Sequence, residues 1–168
     1  RSGIDYFIES CRVLAERYPE LKDELGIVVY GKDSEQLKPL VPFQVYPLNY
    51  ISNEKELIDV YNSVDLFVTP SLEENLPNTI MEAMACGIPC VGFQVGGIPE
   101  MIDHLHNGYV AEYKSVEDFA NGIHWILNEG EYKTLSEEAC RKVSSSYSES
   151  AIAKRYIEVY NKVTGSNE

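Results

Sequence analysis

A strand, loop, helix and strand pattern over residues 65–100 constrains the fold of this 168-residue chain more than any other feature. The apolar segments 65–69 and 89–93 predict two strands, and a helix is predicted between them over residues 77–86. Two strands joined by a helix form a parallel crossover unit, whose first loop opens at the carboxyl edge of the sheet. Because such folds bind ligands at that edge, this loop is the first candidate for a functional site.

The remainder of the chain continues the same alternation. Ser52 is the predicted N-cap of a helix whose inner face carries Leu57, Tyr61 and Val64. Further helices are predicted at about 5–18, 98–102, 116–128, 131–145 and 149–163, strands at 27–30, 43–46 and 109–111, and a loop at 32–42. This order predicts an α/β protein with a Rossmann-like, doubly wound parallel sheet. The length suits one domain over residues 1–168.

Composition narrows the function classes. A net charge of −13 argues against a nucleic-acid or anionic-membrane surface, because binding a phosphate backbone needs a concentrated basic face. The four cysteines form no C-x-x-C pair, which favours a reduced, cytoplasmic protein. Neither Cys86 with Cys90 nor His104 with His106 has the spacing of a structural zinc site, so we expect no metal.

Two carboxylates, Glu74 and Glu82, stand eight residues apart around the predicted loop. The predicted helix is apolar on nearly every face, and Glu82 is its only charge. A carboxylate enclosed in this way needs hydrogen-bond donors, because leaving it bare would cost several kcal/mol. Ligand hydroxyls are one source of donors. The backbone of its own helix start is another, since Thr79 and Glu82 have the spacing of a capping box. Glu74 alone, beside Glu73, is typical of a solvated loop carboxylate.

The start of the predicted helix is a candidate anion site. Its free N–H groups around Asn78 and Thr79 would favour a phosphate. A phosphate held beside a carboxylate suggests a nucleotide whose sugar hydroxyls meet the carboxylate. No Gly-x-Gly-x-x-Gly, phosphate-loop lysine or Gly-x-Ser-x-Gly motif occurs, so the common dehydrogenase, kinase and hydrolase classes lack their residues.

Residues 64–110 resemble the carboxyl-terminal, donor-binding half of retaining glycosyltransferases of family 4, whose two Rossmann-like halves make the GT-B fold. The family's Glu-x7-Glu motif corresponds to Glu74 and Glu82, and the segments 82–89 (EAMACGIP) and 96–100 (GGIPE) follow in order. The resemblance implies that the chain is the C-terminal half of a GT-B enzyme, without its acceptor-binding half. The start at Arg1, without an initiator Met, fits such a fragment.

The resemblance also implies roles for individual residues. Glu82 would bind the ribose hydroxyls of a nucleotide sugar, and Glu74 would act as the catalytic residue near the anomeric carbon. The residues implied for the sugar and distal phosphate are Asn75, Leu76, Pro77, Asn78 and Thr79, and those bordering the base are Gly31, Tyr50 and Ile51.

The chain departs from the family pattern at two places. The run 75–78 (NLPN) replaces a common Gly-Phe-Gly, which leaves backbone contacts in place but changes the sugar contacts. Ser2 stands where the family has a lysine for the diphosphate, and only Arg1 is cationic there. The phosphate clamp is therefore either incomplete or completed by residues upstream of Arg1.

The function implied is hexosyl transfer from a nucleotide diphosphate sugar to a sugar or lipid-linked glycan acceptor, with retention of anomeric configuration and without a metal. The implied setting is polysaccharide or glycolipid biosynthesis in the cytoplasm, with the full-length protein peripherally associated with the inner face of the membrane. We expect this fragment to be inactive alone. Two alternatives are a sugar-nucleotide epimerase with the same two-half architecture and a non-catalytic interaction domain in which Glu82 caps its helix.

Overall fold

The computed structural model describes residues 1–74 and 78–147. Within them, helices and strands alternate as the sequence predicts. The helices are α1 (Gly3–Arg17), α2 (Glu54–Ser63), α3 (Asn78–Ala85), α4 (Ile98–Met101), α5 (Val116–His124) and α6 (Tyr132–Ser146). The strands are β1 (Gly26–Val29), β2 (Gln44–Pro47), β3 (Phe67–Thr69), β4 (Cys90–Phe93) and β5 (Gly108–Ala111). The predicted helix over 149–163 lies outside the described residues.

Every strand pair within this part of the chain is parallel. Phe67 of β3 lies opposite Cys90 of β4, which in turn lies opposite Gly108 of β5. The β3–α3–β4 segment is therefore the crossover unit that residues 65–93 predict. The parallel α/β class is confirmed.

The described strands form two sheets instead of the one open sheet that we expected. One sheet has the order β1–β2 and the other β3–β4–β5. β1 and β3 do not pair, and residues of both strands line a cavity of about 630 Å³.

Opposite faces of β4 contribute to two hydrophobic clusters. Val91 and Phe93 belong to a cluster with α1 and α5, whereas Cys90 belongs to one with α3, α4 and α6. Because successive side chains of a strand point to opposite faces, the molecule has a helical layer on each side of this sheet. All four residues of β4 are buried, as expected for an internal parallel strand.

Three local predictions differ from the structure. Residues Ser34–Leu40, expected as loop, form a 3₁₀ helix that buries Leu37. The N-cap of α2 is Asn53 and not Ser52, because the Asn53 side chain accepts the Glu56 N–H at 2.9 Å. The helix predicted over 116–128 changes to a π turn at Trp125–Glu129. No helix among residues 1–74 and 78–147 has the length and apolar character needed to cross a bilayer.

Candidate functional site

Tyr61 of α2 joins the helix that carries Glu82 to the end of β1. Its side chain is buried, and its hydroxyl donates a hydrogen bond to Glu82 Oε2 at 3.1 Å. Tyr30, which follows β1 directly, lies near enough to Tyr61 to raise the pKa of its hydroxyl. The buried Tyr61 side chain therefore lies between the end of β1 and the first turns of α3.

The surroundings of Glu82 agree with the predicted enclosed helix. Its neighbours Met81 and Ala83 are buried, while Glu82 itself is half-buried. Thr79 lies inside α3 and not at its N-cap, and the Glu82 carboxylate is held by α2. The structure therefore does not support the capping-box alternative.

Electrostatics at Glu82 follow from this burial. Desolvation raises the pKa of Glu82, the hydrogen bond from Tyr61 acts in the opposite direction, and the nearby Glu54 carboxylate raises the pKa further. Burial also raises the pKa of Tyr61, as do Tyr30 and Glu82. Tyr61 is therefore protonated at neutral pH and able to donate to the carboxylate.

The loop that carries Glu74 is fixed by contacts from later in the chain. The Glu74 carbonyl accepts the Gly97 N–H at 2.9 Å. Gly96 has a φ of +56° and packs against the same carbonyl so closely that a Cβ atom would overlap it. The Tyr113 hydroxyl donates to the Leu72 carbonyl at 3.1 Å.

Sequence reasoning missed these loop contacts. The Gly96-Gly97 pair is visible in the sequence only as a turn before α4. Nothing in the local pattern around Tyr113 indicates its partner, which lies 41 residues away. The role of the GGIPE segment in the structure is to hold the Glu74 loop by its backbone.

The predicted phosphate-binding residues lie only partly within the described chain. Asn78 and Thr79 are exposed in the first turn of α3, where backbone N–H groups have no partner inside the helix. Residues 75–77, the remainder of the predicted set, lie outside the described part. The described helix start is compatible with an anion, since its N–H groups also carry the positive end of the helix dipole.

Residues predicted to border the base follow β1 and β2. Gly31 has a φ of +109°, which favours glycine, and the space beside it is open. The Asn49 N–H donates to Ser34 Oγ at 2.9 Å, which ties the loop after β2 to the start of the 3₁₀ helix that follows β1. Tyr50 is 80% exposed, and Ile51 is half-buried. Gly31, Tyr50 and Ile51 therefore flank the same edge of the β1–β2 sheet.

The chain start packs onto its own helix. The Arg1 guanidinium pairs with Glu9 and lies 4.4 Å from the centre of the Tyr6 ring. Ser2 donates to the Asp5 carboxylate from its N–H at 2.8 Å and from its hydroxyl at 3.1 Å. These two bonds lower the pKa of Asp5. Ser2 thus stabilises the start of α1 through Asp5. A phosphate that bound the Arg1 guanidinium would have to compete with Glu9.

Comparisons with known proteins identify the family and the fold. The family described as "Glycosyl transferases group 1" matches residues 1–129. The chain belongs to this family. An uncharacterized glycosyltransferase of Haemophilus influenzae is 30% identical over 148 residues, which cover 86% of this chain and 41% of the relative.

One further relative and one solved structure are similar to this chain. The Campylobacter jejuni N,N'-diacetylbacillosaminyl-diphospho-undecaprenol alpha-1,3-N-acetylgalactosaminyltransferase is 26% identical, over 96% of this chain and 42% of its own length. Anabaena HepE, crystallised with UDP, shares the fold with a TM-score of 0.61 and 21% identity, over 83% of this chain and 40% of HepE. The fold is the Rossmann-like one of GT-B glycosyltransferases. The group 1 glycosyltransferase chain described here spans about two fifths of the length of these relatives.

Proposed function

We propose that this chain is the donor-binding domain of a retaining glycosyltransferase of family 4 that transfers a hexose from a nucleotide diphosphate sugar. The observation that carries the proposal is the half-buried Glu82 carboxylate, held through Oε2 by Tyr61. Its Oε1 accepts no hydrogen bond from a described residue. In the complex, ribose hydroxyls would donate to this oxygen in place of solvent.

The remaining roles are proposed from the family resemblance, and the positions of the elements are compatible with them. The N–H groups at the start of α3 would hold the diphosphate and stabilise its charge as the leaving group. Glu74, on the loop fixed by Gly96 and Gly97, would approach the anomeric end of the donor sugar. Gly31, Tyr50 and Ile51 would border the base. Positioning and electrostatics would then provide most of the catalysis, with no metal required.

Uridine is the first base to test. Anabaena HepE has been crystallised with UDP and with UDP-glucose, and it shares this fold at about one fifth sequence identity. The likeness therefore favours a uridine nucleotide as donor without fixing the sugar.

The acceptor and the cellular setting belong to the longer protein. We propose that its other half binds a sugar or a lipid-linked glycan, since the Campylobacter jejuni relative is named for an undecaprenol-linked acceptor. We further propose that the longer protein is a cytoplasmic enzyme of polysaccharide or glycolipid synthesis. It would be peripherally attached to the inner face of the membrane. The 168-residue chain would bind the donor but transfer nothing by itself, and measurable turnover by it would contradict this expectation.

Isothermal titration calorimetry with UDP, GDP and ADP tests the proposal. One of these should bind, and Glu82→Ala should weaken that binding by about tenfold or more, because charged hydrogen bonds of about 1.5–3 kcal/mol to the ribose are lost. The melting temperature of Glu82→Ala should also fall, because the bond from Tyr61 is lost in the free protein. Glu73→Ala, an exposed carboxylate on the preceding loop, is the matched control.

Two outcomes would overturn the assignment. If Glu82→Ala lowers the melting temperature and leaves nucleotide affinity unchanged, Glu82 is structural and the chain is an interaction domain. If the longer protein releases free sugar and nucleoside diphosphate without an acceptor, the epimerase alternative gains.

A further inference from the structure

The segment that carries Glu74, between β3 and α3, belongs to no helix or strand. It begins after Thr69, the last residue of β3, and contains a bend at residues 72 and 73. Because no repeating pattern of backbone hydrogen bonds fixes such a segment, its conformation depends on contacts with other parts of the chain. In the conformation observed, Glu73 is exposed and Glu74 is half-buried.

Two hydrogen bonds hold this segment, one at the bend and one after it. The Tyr113 hydroxyl donates to the Leu72 carbonyl at 3.1 Å, and the Gly97 N–H donates to the Glu74 carbonyl at 2.9 Å. The bond from Gly97 joins two backbones, so no change of side chain removes its donor. The bond from Tyr113 depends on a single side-chain oxygen. Tyr113 is therefore the contact that a substitution can remove while the backbone groups stay the same.

Tyr113 is itself held by the turn between β5 and α5. The N–H of Glu112 beside it donates to Asp118 Oδ2 in the first turn of α5, at 2.7 Å. The Tyr113 ring meets the ring of Phe93, at the end of β4, edge to face, with the ring centres 6.4 Å apart. One core strand and one helix thus fix the direction from which the hydroxyl reaches the Glu74 segment.

The hydroxyl of Tyr113 contributes little to the stability of the core. The side chain is 42% exposed, and Phe93 keeps its buried contacts with the Tyr6 and Phe119 rings when that hydroxyl is absent. In Tyr113→Phe, water can reach the Leu72 carbonyl in place of the hydroxyl, because the bond lies at an exposed site. The variant should therefore fold, and any change in ligand binding would come from the position of the segment.

We propose that Tyr113 is a positioning residue that sets the place of the Glu74 carboxylate against the donor sugar. The inference rests on the proposed function, in which Glu74 meets the sugar near its anomeric carbon. A functional side chain has to be held within about 0.5 Å of its productive place. Gly97 holds the segment after the bend, and Tyr113 holds the bend itself. The direction in which the Glu74 side chain points therefore depends on both bonds.

Calorimetry with UDP and UDP-glucose on the longer natural protein tests this inference, because the second ligand adds the sugar that Glu74 would contact. Tyr113→Phe should leave the dissociation constant for UDP within about twofold of the wild type and raise that for UDP-glucose about fivefold. A purely structural loss would weaken both ligands alike. If another base or sugar is the one that binds, the corresponding nucleoside diphosphate and its sugar conjugate form the pair.

Tyr132→Phe is the matched control. The Tyr132 hydroxyl also donates to a backbone carbonyl, that of Asp65 at 2.8 Å, but just before the amino end of β3. This variant should leave both dissociation constants within about twofold of the wild type.

A double variant tests whether Tyr113 acts through Glu74. On a Glu74→Ala background, Tyr113→Phe should cause no further loss of UDP-glucose affinity, because the carboxylate that it positions is absent. A loss as large as in the wild-type background would contradict the inference, since Tyr113 would then act on the donor by another route.

Three results with the single variants would also overturn the inference. If Tyr113→Phe binds both ligands as the wild type does, the hydroxyl does not position Glu74, and the proposed donor site stands without it. If Tyr113→Phe weakens UDP and UDP-glucose equally, the hydroxyl has only a structural role. If Glu74→Ala leaves UDP-glucose affinity unchanged, the proposed contact of Glu74 with the sugar is wrong, and the positioning role of Tyr113 is wrong with it.

Discussion

The Tyr61 hydroxyl donates to Glu82 Oε2 at 3.1 Å, between two helices whose residues stand 21 apart in sequence. The bond fixes one carboxylate oxygen, and the other accepts no hydrogen bond from a described residue. Because Tyr61 is 1% exposed, its ring cannot easily move away, and the carboxylate is preorganised at low cost. This relationship connects the fold to the proposed ribose site and leads to several expectations.

Tyr61→Phe should weaken nucleoside diphosphate binding and raise the pKa of Glu82. The hydrogen bond from Tyr61 favours the ionised carboxylate, so its loss favours protonation. We expect an affinity loss of about five- to tenfold, corresponding to about 1–1.4 kcal/mol. NMR titration of the Glu82 side-chain carboxyl carbon and calorimetry at several pH values would measure both effects.

Tyr18→Phe provides the control, since Tyr18 lies at the end of α1 and stacks on His124. That variant should match the wild type in both measurements. A Tyr61→Phe protein with an unchanged pKa of Glu82 would show that the hydroxyl has only a packing role.

The wild type should lose stability relative to Glu82→Gln as the pH rises. Desolvation raises the pKa of Glu82 in the folded state above its ordinary value of 4.5. Between the two pKa values the folded protein binds more protons than the unfolded chain, so its free energy of unfolding falls with rising pH. Urea denaturation of both proteins from pH 4 to 8 measures the difference. A difference that stays constant over this range would contradict the expected burial of the carboxylate.

Gly96→Ala should destabilise the protein more than Gly31→Ala. Both positions have a positive φ, so each substitution carries a backbone strain of about 1–2 kcal/mol. At Gly96 the added methyl group also overlaps the Glu74 carbonyl, whereas the space at Gly31 is open. Chemical denaturation of the two variants compares them. Equal losses of stability would show that the Glu74 loop moves away without cost.

Removing divalent metals should leave nucleotide binding intact. The proposed phosphate contacts are backbone N–H groups at the start of α3, which need no bridging cation. Calorimetric titrations of UDP in EDTA and in Mg²⁺ should give dissociation constants within about twofold of each other. A loss of binding of tenfold or more in EDTA would require a metal in the site.

Much of the fold could be predicted from the sequence because its signals are local. Apolar segments and the Gly87 and Pro89 stop signals predict β3, α3 and β4, and the enclosed character of Glu82 follows from its apolar neighbours. Tyr61 was predicted on the inner face of α2, since helical periodicity indicates which face is buried. Periodicity does not reveal which side chain lies opposite, so its bond to Glu82 could not be predicted.

Other features depend on contacts between distant parts of the chain. Gly96 and Gly97 contact the backbone of Glu74, which lies over 20 residues earlier in the chain. The separation of the two sheets depends on whether β1 and β3 pair, which the pattern within either strand does not determine. The N-cap of α2 is Asn53, whereas the sequence predicts Ser52. Serine and asparagine have similar N-cap preferences, so the residue type alone does not decide which of two adjacent positions is the N-cap.

The most direct test compares UDP with 2',3'-dideoxy-UDP on the wild type and on Glu82→Gln, by calorimetry at neutral pH. If UDP is not the nucleotide that binds, the same pair is made from the base that does. We expect the wild type to prefer the ribose form by about tenfold or more and Glu82→Gln to lose most of that preference, because the preference comes from two hydroxyls donating to an ionised carboxylate. An equal preference in both proteins would contradict the assignment of Glu82 to the ribose.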